Sequence, residues 1–200
     1  MKIFKKKAEL NVILGDITKG NYQCIVNAAN QSLQRGGGVC GAIYKAAGPK
    51  LEQDTNEFKP IGVSECKMTG GYDLCEIIIH AVGPIYEGQY KIDLLDMAHN
   101  IKCEQLKKCY ENIFDLCKDY NIKNIALPLI STGIYGFPKR EAIQIALEVI
   151  HKVIKEKETN LKEINIVCFE LEDYNLVYRI FKQNQQHIFL NYLHESKIHI

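Results

Sequence analysis

The chain has 200 residues, 46% of them hydrophobic, with 25 basic and 24 acidic side chains and a formal net charge of +1. That is enough apolar material for one full globular core, and the near-neutral balance supplies no global field for nucleic acid or a membrane surface. No apolar run approaches the roughly 20 residues needed to cross a bilayer, and no signal peptide opens the chain, so a cytoplasmic or nuclear location is expected.

The one basic run, Lys5-Lys6-Lys7, reads as a solvated strand edge. Next, AELNVILGD (8–16) alternates Leu10, Val12 and Leu14 and closes on Gly-Asp, a strand and its exit. CIVNAAN (24–30) is a short buried strand. VCGAIYKAAG (39–48) predicts a helix stopped at Gly48-Pro49, with a second starting at PKLEQDTNEF. Cys66–Met68 and EIIIHAV (76–82) read as strands around a TGGYD turn, and His80 within the latter reads as a satisfied core histidine. Residues 90–120 place Leu94, Leu95, Ile101, Leu106, Tyr110, Ile113 and Leu116 at helical spacing, for one long helix or two consecutive ones. NIALPLIS (124–131) is a buried strand, and PKREAIQIALEVIHKVI (138–154) is an amphipathic helix with Pro138 near its first turn. INIVCFE (164–170) is the last strand, and DYNLVYRIFKQNQQHIFLNYL ends the chain as helix with its last residues frayed.

Eight scattered cysteines, several inside strand patterns, read as reduced thiols. No C-x-x-C or close Cys/His pairing offers zinc ligands, so neither metal nor cofactor is expected. With no linker or repeat, residues 1–200 form one domain, its core about 8–182 and its helical tail 183–200. Strands alternating with helices predict an α/β fold with a largely parallel sheet between helical layers. Ligands on such sheets bind outside the carboxyl ends of the strands.

Two glycine-rich connections leave such ends. Gly36-Gly37-Gly38-Val39 runs into a helix at Cys40, and Ser131-Thr132-Gly133-Ile134-Tyr135-Gly136 runs into one at Pro138. Helix N-termini carry unpaired N–H groups, and glycine lets the backbone approach an anion closely, so the two loops read as opposed cradles for a diphosphate. Gly36, Gly38 and Gly41 formally satisfy G-x-G-x-x-G, but five residues part them from Asn30 and no acidic-ended strand follows, so a dinucleotide fingerprint is rejected. No Gly-Lys-Ser/Thr occurs, which removes a Walker loop. Asn27 and Asn30 end a buried strand, where an amide needs hydrogen bonds. Asn27 reads as a clamp on the loop and Asn30 as a contact for sugar hydroxyls. Asp16 is either an acceptor for an exocyclic amine or the N-cap of a helix starting at ITKG.

GDIT (15–18), IVNAANQSLQRGGGV (25–39), TGGYDLCEIIIHAVGP (69–84) and LPLISTGIYGFP (127–138) together resemble a macrodomain, closest to the MacroD-type branch. The motifs cover positions 10 to about 180. The resemblance implies a three-layer α-β-α fold with a central mixed, mostly parallel sheet of six or seven strands. It implies ADP-ribose and mono-ADP-ribosylated proteins as ligand and substrates, bound by a monomer. Nothing in the residues argues for nucleic-acid ends.

Carried over residue by residue, the resemblance assigns Asp16 to the adenine amino group with Ile17 beside it, and Asn30 to the distal ribose. Gly36, Gly37, Gly38 and Val39 wrap the ribose and diphosphate. Ser131, Thr132, Gly133, Ile134, Tyr135 and Gly136 cover the diphosphate from the other side, with Tyr135 packing near the ribose. Phe169, or else Leu171, stacks on adenine. Cys40 stands where many of these hydrolases have aspartate, and a thiol is a poor base at neutral pH. The implied activity is hydrolysis of mono-ADP-ribose from acidic side chains, with Asn30, Gly37, Cys40 and Tyr135 around the reacting sugar. The alternatives are a reader module, an O-acetyl-ADP-ribose deacetylase or an ADP-ribose 1″-phosphate phosphatase.

Overall fold

The computed structural model describes residues 8–86, 95–155 and 159–195. The lysine run at 5–7, the segment 90–94 that opens the expected third helix, and the expected frayed end at 196–200 lie outside the described residues.

Six strands and five helices follow one another. They are β1 (Glu9–Leu14), β2 (Cys24–Ala28), α1 (Gly38–Ala47), α2 (Pro49–Asn56), β3 (Cys66–Gly70), β4 (Ile77–Ala81), α3 (Leu95–Asp119), β5 (Asn124–Leu127), α4 (Lys139–Lys155), β6 (Glu163–Cys168) and α5 (Leu171–Glu195). The sheet order is β1-β6-β5-β2-β4-β3. All pairings are parallel except the edge pair β3–β4. The expected mixed, mostly parallel sheet is therefore present with six strands.

Strand periodicity of two sorts the side chains into two helical layers. Cys24, Val26, Ile79, Ala81, Ile125 and Leu127 face one side, where Leu106, Tyr110 and Ile113 of α3, Leu147 and Ile150 of α4, and Val177 and Ile180 of α5 cover them. Ile25, Ile78 and Ala126, one residue out of phase, face Ile43, Tyr44 and Ala47 of α1 and Leu51 of α2. The central strands are buried on both faces, so their sequences are continuous apolar runs.

Helix α1 stops where expected, at Gly48 with φ +85, and Pro49 starts α2 at its first position. Residues 95–119 form one continuous helix, which resolves the choice between one helix and two for that part. Strand β5 ends at Leu127 instead of running to Ser131, because Pro128 cannot donate to a central ladder. Strand β6 similarly ends at Cys168, leaving Phe169 and Glu170 outside the sheet. Helix α5 runs through position 183 without a break. All eight cysteines are free thiols. Burial pushes the Cys75 thiol up to about 11 and Cys168 up to about 12.

Candidate functional site

Neighbouring strands β2 and β5 send their exits to opposite layers, β2 toward α1 and β5 toward α4. The chain splays apart at that point, and a crevice opens at the carboxyl edge of the sheet. It has a volume of about 860 Å³, large enough for a nucleotide-sized ligand. Asp16 and Ile17 beyond β1, Asn30 and Gly36–Cys40 beyond β2, Ser131–Tyr135 beyond β5, and Phe169 beyond β6 all line it.

The first loop is held from below. The Tyr44 hydroxyl on α1 donates to the carbonyl of Leu33, a fully buried residue at φ +56. Asn30 spends both ends of its amide on the loop: Nδ2 donates to Gln34 O at 2.8 Å, and Oδ1 accepts from Ser32 Oγ at 2.7 Å and Gln34 N at 3.2 Å. Cys40 is buried and its thiol points at the same Gln34 carbonyl, 3.8 Å away. Cys40 thus acts on the loop as a clamp, and Asn30 holds its own turn as well as facing the crevice.

This anchoring sets out the glycines. Gly38 takes φ +58, which an L side chain rarely adopts. Gly37 is the N-cap of α1 and has no side-chain cap, and a Cβ there would lie 3.2 Å from Ile134 Cδ1 of the opposite loop. The two glycine loops therefore approach one another across the crevice, and the first turn of α1 carries no acidic residue to occupy its amides.

The second loop carries a different signal. Ser131 sits at φ +67, unusual for serine, and its buried hydroxyl has no hydrogen-bond partner among the described residues. Strain and an orphaned buried donor on a crevice wall together mark a group arranged for a ligand. Phe169 and Ile134 complete the pattern: both are large, apolar and lining, yet 75% and 82% exposed. Of the two residues considered for stacking, Phe169 lines the crevice and Leu171 does not.

At the far end, Asp16 Oδ1 accepts from Thr18 N at 2.9 Å and Thr18 Oγ1 at 2.7 Å. The backbone hydrogen bond, with the hydroxyl second, holds this carboxyl below its ordinary value and keeps it an acceptor. No helix starts at ITKG: residues 17–20 form a turn, which Oδ1 caps, while Oδ2 has no hydrogen-bond partner among the described residues. Tyr135 lines the opposite wall, and burial, with Cys40 as a lesser cause, pushes its phenol up.

Three expectations need correction. Asn27 is fully buried and does not line the crevice; its Nδ2 lies 3.0 Å from Nδ1 of His80 on β4, so it ties strand to strand and leaves the loop alone. Gly136 does not line it either, because it turns away at φ +67 with its Cβ position 3.3 Å from the Tyr86 carbonyl. With it turns the N-terminus of α4, so the second wall is the loop alone. Finally, a close Cys/His pair does exist, on α3, where His99 and Cys103 face Glu141. His80 itself is as expected: Nε2 lies 3.0 Å from Thr69 Oγ1, both ring nitrogens are engaged, and burial lowers its pKa to about 4.

Gly83, beyond β4, also lines the crevice and had no assigned role; its place in the resembling stretch IIIHAVGP was the available signal. Asp173 lines it too, paired with Lys139 at 2.5 Å. It lies inside a helical pattern, which gave no hint of it.

A family model for the Macro domain matches residues 26–146, spanning both glycine loops. This chain belongs to the Macro domain family. A relative in Pantoea vagans named O-acetyl-ADP-ribose deacetylase 1 is 41% identical over 178 residues, covering 86% of this chain and 98% of its own. Human ADP-ribose glycohydrolase MACROD2 is 38% identical over 182 residues, 90% of this chain but only 40% of that longer protein. Among solved structures, an Oceanobacillus iheyensis macrodomain with ADP superposes with a TM-score of 0.80 at 36% identity, covering 94% of this chain and 97% of that one. No helix among the described residues of this macrodomain is long and apolar enough to cross a membrane.

Proposed function

We propose that this macrodomain binds ADP-ribose in the crevice and, as a monomeric ADP-ribosylhydrolase, releases mono-ADP-ribose from acidic side chains of modified proteins. The observation that carries the reading is the approach of Gly37 to Ile134 across the crevice, with the orphaned Ser131 hydroxyl beside it. Two loops that near one another over an uncapped helix start suit a bent diphosphate, whose oxygens take the free amides and the hydroxyl. Asp16 then meets the adenine amino group and Phe169 its face. The distal ribose lies toward Asn30, Cys40 and Tyr135. The relatives' names, one a deacetylase of an ADP-ribose ester and one an ADP-ribose glycohydrolase, agree with a hydrolase acting on this nucleotide.

The bond cleaved joins the anomeric carbon of the distal ribose to a carboxylate oxygen. It breaks with its electron pair leaving on the carboxylate, and the sugar gains oxocarbenium character. Water forms the new bond to that carbon and its proton goes to a phosphate oxygen of the ligand. The carboxylate is an adequate leaving group without a strong acid. The protein's part is placement, which can supply roughly 7–11 kcal/mol when the geometry is good. Cys40, its thiol directed at Gln34 O, is assigned to shaping the loop that holds the ribose and not to proton abstraction.

Cys40 also favours a second reading, a module that binds ADP-ribose without cleaving it. The test is a gel assay on glutamate-linked mono-ADP-ribosylated protein, with O-acetyl-ADP-ribose and ADP-ribose 1″-phosphate as parallel substrates and Cys40→Asp as comparison. Loss of label with wild-type protein is expected. Retained label with intact ADP-ribose binding assigns the reader role, and turnover of only a small ester or phosphate assigns the alternative hydrolases.

A further inference from the structure

His99 and Cys103 lie one turn apart on α3, and Glu141 faces them from the first turn of α4, which packs against α3. One donor atom from each falls within 4.8 Å of the others. The thiol sulfur is 3.5 Å from His99 Nε2, and Glu141 Oε2 is 3.3 Å from the same nitrogen. We propose that these three side chains form a binding site for a divalent zinc-type cation, behind the second glycine loop.

The two separations from Nε2 match those a shared cation imposes. Tetrahedral zinc with Zn–N of about 2.0–2.1 Å, Zn–S of about 2.3 Å and a similar Zn–O puts nitrogen and sulfur roughly 3.5 Å apart, and nitrogen and oxygen roughly 3.4 Å apart. Glu141 Oε2 is also shielded from water and has no hydrogen-bond partner among the described residues, despite its closeness to Nε2. An acceptor left without a donor beside a thiol and an imidazole nitrogen is satisfied by a cation among all three. Imidazole, thiolate and carboxylate together suit zinc better than calcium or magnesium, which take oxygen ligands.

A thiol–imidazole–carboxylate set also raises the question of a nucleophilic triad. In a triad the acid orients the imidazole from the nitrogen opposite the nucleophile. Here the carboxylate shares Nε2 with the thiol, and the opposite nitrogen, Nδ1, lies 3.0 Å from the Tyr86 hydroxyl. With Nδ1–H donating to that hydroxyl, Nε2 presents its lone pair inward. A partner on the second ring nitrogen is the usual support of a metal-bound histidine. Binding displaces the Cys103 thiol proton to solvent as the S–metal bond forms, and the fourth position is open to water. Tyr86 links the site to the crevice, since its amide donates to the Tyr135 carbonyl at 2.7 Å. The cation thus braces the back of the loop.

The test is titration of reduced, metal-free protein with cobalt(II), read by absorbance, followed by displacement with zinc. One equivalent and a thiolate-to-metal charge-transfer band are expected for wild type and for Cys40→Ser. The band should be lost in Cys103→Ser, and Tyr86→Phe should weaken binding about tenfold or more. Glu141→Gln is the second arm should Cys103→Ser fail to fold, with weakened cobalt binding expected at unchanged circular dichroism. Zinc should raise the melting temperature of wild type and of Cys40→Ser but not that of Cys103→Ser. No band in wild type, or a band that survives both Cys103→Ser and His99→Gln, overturns the proposal. ADP-ribose takes no part in this titration, so its result is independent of the function proposed above.

Discussion

Gly37 is the residue at which the account is most exposed. A Cβ there would lie 3.2 Å from Ile134 Cδ1, so Gly37→Val crowds that exposed side chain and fills the gap between the loops, the place the proposed function gives to the ribose and diphosphate. Turnover in the gel assay should fall at least tenfold while the melting curve stays near wild type. Asp16→Ala should mainly weaken binding of ADP-ribose, by roughly 1.5–3 kcal/mol if the charged acceptor meets the adenine amine, seen as a higher Kd in calorimetry. These positions were legible in the sequence because glycine runs and strand-terminal polar residues are expensive and need a reason. Asn27 was misread for the same cause: the pattern reveals that a buried amide needs a partner but not which one. Its partner, His80, is 53 positions away.

Elements explain what single residues do not. The pairing of β2 with β4 places Asn27 beside His80, and the fold keeps this histidine neutral. Its pKa in the folded protein, about 4, is below the ordinary value of 6.5, so the folded state resists protonation. Stability from this group is complete above 6.5 and falls as pH drops toward 4, by on the order of 3 kcal/mol. Urea midpoints measured across that interval should show the decline, and His80→Gln should flatten it. Where β4 ends, Gly83 fits against the second loop: an added Cβ would lie 2.2 Å from Ser131 Oγ and 2.6 Å from Ile130 Cγ2. Gly83→Ala should therefore cost about 1–3 kcal/mol of stability in the same urea experiment. Among the described residues the type of each strand and helix was readable from periodicity, although β3 runs on through Thr69 and Gly70, where a turn was expected. Lengths were less so, since the apolar pattern of 124–131 continues past Pro128 while the ladder stops before it. The turn that takes Gly136 and the α4 N-terminus off the crevice also left no trace in the pattern, because it depends on packing against Tyr86.

For the molecule as a whole, strand order decides function. Positions 16, 30, 37, 131 and 169 are scattered over most of the sequence, and they meet because β1, β6, β5 and β2 are parallel neighbours with their carboxyl ends on one edge. The alternation of strands and helices made the layered fold legible, and two glycine loops at strand ends made the crevice legible. The α3–α4 contact that joins His99, Cys103 and Glu141 was not, because it depends on which helix faces pack. Isothermal titration of ADP-ribose into wild-type protein, with Gly37→Val and Asp16→Ala alongside, tests whether the crevice is a nucleotide site. One ligand per chain, held less tightly by the Asp16 variant, is the expected result. Absence of binding to the wild type, or affinity indifferent to both substitutions, would contradict it.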